Sequence, residues 1–427
     1  MPSRTSFFTG RYPHQHGIVG NSATIWPDDP CFVREVRDRG LHTAVIGKLH
    51  FTWRHDVEML TAAPLLYQAG FEDPHEITGK MSAGNLRASE YTEHLRQKGL
   101  LAGYYRDLLR RVASGPIGEH GPSILSADDQ LDGWIGNRAV DWLSHHDGRP
   151  FFLWVGPPGP HDPFDPPEPY ASMYRPQDMP GPIAQLADDP HAAPRAHALP
   201  EEAVRRIRTQ YYGNVTLIDE RVGSMLAVLR QRGWLDHTWV IYCSDHGEFL
   251  GDRGLFSKSE FYRQSAEVPI IVRPPDRLKH AVRGQQSNAL VELIDVSATI
   301  LDISGAQMPG HQGRSLLPMV RGEAGLHTHR QAVFSEIDSR LMVATEREKL
   351  VVRRSDLTPV AYWDLEQDPA ELANRVSDPQ AAPRMERLIA EEIRPFLERT
   401  PRDMGEPWSI IAPFRQWPRN PLRDLVL

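Results

Sequence analysis

The sequence predicts an α/β fold: a mostly parallel sheet flanked by helices, followed by a smaller C-terminal α+β domain with an antiparallel sheet. Three observations carry this. Helical and strand-like segments alternate from the N-terminus to about residue 325. From about residue 326 the texture changes to short β-like segments joined by turns. Finally, polar clusters directly follow three strand-like runs, and open parallel sheets bind ligands outside the carboxyl ends of their strands.

Taken in order, residues 1–53 read as a short helix or turn, a helix near 30–40, and a strand, LHTAVIG (41–47), ending in Gly47. Ser3 and Thr5 are candidate caps for a helix beginning near residue 5. Lys48, His50 and His55 follow the strand. Residues 90–112 are predicted helical. Ser126 and Asp129 have capping-box spacing, ahead of a helix marked by Leu131, Ile135, Ala139 and Trp142/Leu143. FFLWV (151–155) reads as a buried strand, and the proline-rich loop GPPGPHDPFDPPEPY (156–170) follows it. A helix over about 208–232 presents Val215, Ile218, Val222, Met225/Leu226 and Leu229. The strand WVIYCS (239–244) comes next, then DHGEFLGDRG; VPIIV (268–272) also has strand length. Beyond 326, AVFSEI, LMVATE, KLVVRR and VAYWDL predict the antiparallel sheet, and a helix is expected at about 381–398. The expected domains are 1–325 and 326–427. The proline-rich tail carries Trp408, Phe414 and Trp417, read as packing residues. A subunit contact, and so a homo-oligomer, is the alternative for them.

Composition narrows the function. Of 427 residues, 40% are hydrophobic and 24% charged, which excludes the disordered class. Lys plus Arg number 48 against 56 Asp plus Glu, with no basic stripe, so a nucleic-acid partner is not expected. Two cysteines exclude a disulfide framework and suit a cytoplasmic protein. No run approaches ~18 apolar residues, so no membrane span is expected. Residues 1–11 lack the apolar centre of a signal peptide, although a leader could lie upstream; localisation stays open.

The chemistry-bearing residues each have an ordinary alternative. Asp245 and His246, with Gly247 after them, can face one cation from a turn; a solvated Asx turn is the plainer reading. Lys258 is an anion ligand or a surface lysine. His161, stiffened by flanking prolines, is an acid–base group or a loop-packing residue. Lys48 and His50 converge only if the chain turns after the strand. Arg4 beside a helix N-terminus makes an anion site, or is an exposed arginine.

Together these segments resemble the sulfatase family of the alkaline-phosphatase-like superfamily. PSRTSFFTGRYPHQHGIVGN is similar to the sulfatase signature, C/S-x-P-S-R-x-x-x-x-T-G-R. TAVIGKLHF resembles the G-K-x-H segment, and GPHDPFDPPEPY the proline-flanked histidine loop. YCSDHGEFLGDRGLFSKSEFYRQSAEVPIIVRPP resembles the metal and lysine block; GRSLLPMVRGE and YWDLEQDPAEL resemble late-chain segments. The resemblance spans roughly residues 1–380, and its D-H-G form and histidine loop are nearest the choline sulfatase and phosphonate monoester hydrolase branch.

The resemblance implies the following roles. Asp245 and His246 bind a divalent cation, calcium first and manganese second. Arg4 holds the nucleophile, and Lys48 and Lys258 bind sulfate or phosphate oxygens. His50 assists turnover of a covalent intermediate, and His161 protonates the leaving group or contacts the anion. The substrate is a small sulfate, phosphate or phosphonate ester. The family nucleophile, a Cys or Ser oxidised to formylglycine, lies two residues before the proline of P-S-R. Here that proline is Pro2, so the nucleophile position falls before Met1. An upstream strand bearing further metal ligands is implied as well. The expectation is an active hydrolase in a longer reading frame and negligible turnover from residues 1–427. A non-catalytic binding protein on the same scaffold is the alternative.

Overall fold

A computed structural model describes residues 1–21, 29–50, 63–77, 79–80, 89–115, 117–184, 197 and 199–401. Strand β1 (His42–Gly47) lies between β2 (Asp73–Glu76) and β3 (Phe151–Gly156), parallel to both. With a neighbour on each edge, β1 is buried from Thr43 to Gly47. Its alternating side chains serve two cores, Val45 in one and Ile46 in the other. β4 (Val240–Cys243) pairs with β5 (Ile270–Arg273) in a separate antiparallel ribbon. The parallel arrangement therefore holds for β1–β3, and β5 reverses it.

β3 and β4 are not hydrogen-bonded to each other, yet they share apolar clusters on both faces. Phe152 and Trp154 meet Ile241 and Cys243 in one cluster, and Phe151 and Leu153 meet Val240 in another. Phe151–Val155 are only half-buried, unlike the residues of β1. β3 and β4 thus share cores without sharing a hydrogen-bond ladder.

Helices Leu131–His145 and Glu201–Gln231 pack on each other beside this sheet. The C-terminal strands β6 (Val333–Ile337), β7 (Arg340–Ala344), β8 (Glu348–Arg353) and β9 (Pro359–Asp364) form an antiparallel meander. Leu341, Val343, Leu350 and Val352 pack on Met385, Leu388 and Phe396. The other face, with Met342, Val351 and Trp363, packs on Phe249, Leu255, Phe261 and Tyr262. That second face braces the loop that carries Lys258.

Several local expectations change. The first helix is Pro2–Thr9, beginning earlier than predicted and without a side-chain cap; Ser3 is used elsewhere. The helix expected over 90–112 is two, Glu90–Gln97 and Leu101–Ala113, parted around Gly99 at φ 72°. Ser126 and Asp129 do bond each other, but one turn too early. The helix starts at Leu131, and the Gln130 side chain accepts the Asp132 and Gly133 N–H groups. The helix expected near 208 begins at Glu201, after Pro200. Trp408, Phe414 and Trp417 lie outside the described residues, as does His55. No described helix is long and apolar enough to cross a membrane.

Candidate active site

Arg4, Lys48, His50, His161, Asp245, His246 and Lys258 all line one cleft of about 1220 Å³. The helix Pro2–Thr9 is fixed by its aromatic side. Phe8 stacks on Phe32 at 5.5 Å, and Phe7 and Phe8 both pack on Trp154. That anchoring leaves Arg4 facing β4, with Nη2 3.4 Å from Asp245 Oδ2. The Ser3 hydroxyl donates to the Asp245 carbonyl oxygen at 2.7 Å.

β1 ends at Gly47, where φ is 107° and a Cβ would stand 2.4 Å from the Gly156 oxygen. Only glycine lets β1 turn this close to β3. The Lys48 N–H then donates to the Gly156 carbonyl at 2.7 Å. Burial, helped by Arg4, brings the Lys48 ammonium down to about 7. His50 has φ 64°, and its N–H donates to Glu76 Oε1 at 3.1 Å. This is the turn that brings His50 and Lys48 into one cleft. Burial and the Lys48 charge hold the His50 imidazole far below its ordinary range, so it is neutral.

His161 Nδ1 donates to the Asp162 carbonyl at 2.8 Å and lies 3.0 Å from the Asp162 carboxylate. Its Nε2 is 3.2 Å from Lys258 Nζ. An ammonium only donates, so Nε2 accepts, and the proton of the neutral ring is assigned to Nδ1. Lys258 is held between Ser257 at φ 68° and Ser259 at φ 92°, a strained presentation for residues that are not glycine. The Glu248 carboxylate accepts the Ser257 N–H and, at 3.3 Å, the Leu250 N–H. Burial pushes Glu248 up to about 7. Sequence reasoning missed Glu248, because its type and place suit a surface turn equally well.

Asp245 and His246 sit beyond the end of β4, with Nε2 3.8 Å from Oδ2. Burial works against the Asp245 charge. Even so, Arg4, His246 and Lys48 hold its carboxyl well below the usual range. His246 Nδ1 donates to the Gly247 carbonyl at 2.8 Å, which turns Nε2 outward as an acceptor. A Cβ at Gly247 would lie 2.0 Å from the Gln264 oxygen, so the third residue of D-H-G needs its lack of a side chain. Among the described residues, no three His, Cys, Asp or Glu converge on one point. Asp245 and His246 thus supply two donors, short of the six to eight that calcium takes. The described donor set does not by itself fit the cation.

A parallel sheet with a cleft lined by Arg4, Lys48 and Lys258 at its strand ends fits the class of alkaline-phosphatase-like scaffolds. Residues 1–306 match the family described as Sulfatase, and residues 251–395 match the C-terminal region of N-sulphoglucosamine sulphohydrolase. The chain belongs to the sulfatase family. It is 28% identical to an arylsulfatase of Clostridium perfringens, over 91% of this chain and 82% of that protein. It is 27% identical to a choline-sulfatase of Rhizobium meliloti, over 89% of this chain and 73% of that protein. Among solved structures it is similar to a phosphonate monoester hydrolase of Silicibacter pomeroyi. The TM-score is 0.77 at 25% identity, covering 94% of this chain and 86% of that one.

Proposed function

We propose that the protein cleaves sulfate monoesters of small alcohols. The observation that carries this is the gathering of Arg4 and Lys48 around the Asp245 carboxylate, with Lys258, His50 and His161 in the same cleft. Ester cleavage at sulfur needs charge neutralised on the nonbridging oxygens and an acid for the leaving oxygen. Lys48 and Lys258 take the oxygens. His161, once protonated, donates from Nε2 while Asp162 steadies Nδ1. Neutral His50 accepts a proton during breakdown of a covalent intermediate. Arg4 orients the nucleophile and balances Asp245.

Asp245 and His246 are the two residues here that would contribute to a divalent cation, calcium or manganese, and since two donors fall short of its coordination no step is assigned to it. Neither Cys31 nor Cys243 lines the cleft, and burial pushes both thiols up, Cys243 to about 12. Neither cysteine is therefore assigned the nucleophile's role. The sulfatase-like domain is read as 1–325 and the smaller domain as 326–427.

A second reading, phosphonate monoester hydrolysis, is supported by the similarity to the Silicibacter pomeroyi enzyme. A phosphonate monoester presents a tetrahedral, singly charged centre much like a sulfate monoester. A panel of aryl sulfate, choline sulfate and phosphonate monoester substrates separates the two, and failure of the protein to bind sulfate would refute the site.

A further inference from the structure

Two residues the mechanism does not use, Gly79 and Lys80, stand three and four residues after the end of β2. β2 runs beside β1, with Glu76 opposite Gly47, and the Ile77 N–H donates to the Gly47 carbonyl at 3.1 Å. Residues 79 and 80 therefore emerge next to Lys48. A Cβ on Gly79 would stand 2.7 Å from Lys48 Nζ and 3.2 Å from its Cε. Gly79 is not among the glycines at positive φ, and the atoms nearest to an added Cβ all belong to the Lys48 side chain.

Lys80 turns the other way. Its ammonium is buried, 2.6 Å from Asp165 Oδ1, 3.8 Å from Asp132 Oδ2 and 3.4 Å from the Pro163 carbonyl. Asp132, also buried, accepts the Gly159 N–H at 2.6 Å. Gly159 stands two residues before His161, and Pro163 and Asp165 stand two and four after it. The one ammonium thus ties both flanks of the His161 loop to the segment that borders Lys48. Without it, Asp132 and Asp165 would be two buried carboxylates facing each other, a costly arrangement that the loop would escape by moving.

We propose that Gly79 and Lys80 are positioning residues that set Lys48 and His161 in register across the anion site. Gly79 leaves room for the Lys48 ammonium, and Lys80 clamps the loop that carries His161. This rests on the anion-site reading above. The ordinary alternative is a glycine of no consequence beside an ion pair that serves only the fold.

The test uses the 427-residue protein and inorganic sulfate and phosphate, with binding by calorimetry and stability by thermal unfolding. Wild type, G79A, K80M, H161A and the double variant K80M/H161A are compared. For G79A, Tm should stay within about 2 °C of wild type. Its sulfate affinity should fall about tenfold as Lys48 is displaced, the scale of one charge-assisted hydrogen bond. H161A should weaken binding in the wild-type background, and that effect should shrink to under about twofold in the K80M background, because coupled residues are not additive. Wild-type affinity in G79A overturns the role of Gly79, and additive K80M and H161A effects overturn that of Lys80. If K80M does not fold, the G79A result still decides for Gly79, and K80R with the same cycle replaces K80M. A wild-type protein that binds neither anion refutes the underlying site instead.

Discussion

At the carboxyl ends of β1, β3 and β4, Arg4 and Lys48 crowd round Asp245 with Lys258 in the same cleft, whereas on the C-terminal sheet the acids are matched by directly bonded cations. Glu348 accepts from Arg384 at 2.5 Å, from Arg387 and from the Tyr362 hydroxyl at 2.7 Å. Asp364 accepts from Arg384 at 2.6 Å, and Glu336 from Arg354 at 2.8 Å. The consequences differ in kind. Glu348 and Asp364 are held below the ordinary carboxylate range by these partners, so their charge serves the fold. Lys48 is instead pulled down by burial and by Arg4, and Lys258 adds to the effect. A cation destabilised by its neighbours is relieved by an incoming anion, so the excess charge serves binding.

The sharpest way to break this comparison is to remove charge from each side. The double variant K48M/K258M should lose about 100-fold or more in sulfate affinity, two charge-assisted contacts being absent. Its Tm should not fall, since crowded cations are removed. A large loss of Tm with unchanged sulfate binding would mean that these lysines belong to the fold. On the other side, E348A should cost about 2 kcal/mol of unfolding free energy, read from the denaturant midpoint, with sulfate affinity untouched.

How much of this was legible in the sequence follows the same division. The C-terminal strands could be read because alternation survives where one face meets each core, as in Leu341, Val343, Leu350 and Val352 against Met342 and Val351. Lys48, His50, His161, Asp245 and His246 could be picked because each follows a strand or lies in a proline-stiffened loop, whereas Arg4 and Lys258 gained their roles from the family resemblance. Three polar clusters at strand ends pointed to one site, but the turn that joins Lys48 and His50 could not be read from local pattern. It depends on φ at Gly47 and His50, which no hydrophobic period encodes. Glu248, Gly79 and Lys80 were invisible for a related reason: their partners Ser257, Lys48, Asp165 and Asp132 are distant in sequence or look like surface residues. The helix break near Gly99 and the late start at Leu131 show tertiary packing overriding spacing. The separation of β3 from β4 is likewise a property of the sheet and of neither strand alone.

A milder perturbation is pH. Lys48 loses its proton through about 7 in the free protein. Sulfate favours the ammonium, so bound anion raises that value. Affinity should be level below pH 6 and fall about tenfold from pH 7.5 to 8.5, as one proton must be taken up per anion bound. In K48M the step should vanish. A step that persists in K48M would assign the proton to another group of the cleft, and the proposed imbalance would have to be redrawn around it.

The smallest expected effect sharpens the comparison by asking what aligns the two halves of the site. The Ser3 hydroxyl makes a side-chain hydrogen bond by which the first helix holds the Asp245 backbone. If that bond sets Arg4 against Asp245, S3A should weaken sulfate binding as much as loss of a cation does. The aromatic anchoring argues otherwise: Phe7 and Phe8 already fix the helix against Phe32 and Trp154, in contacts worth far more than one neutral hydrogen bond. S3A should therefore cost about 1 kcal/mol of stability and change sulfate affinity by less than about twofold. A tenfold loss of affinity in S3A would move the burden from apolar packing to the polar contact at the strand end. The site would then be held by its hydrogen bonds in the way the C-terminal sheet is held by its ion pairs.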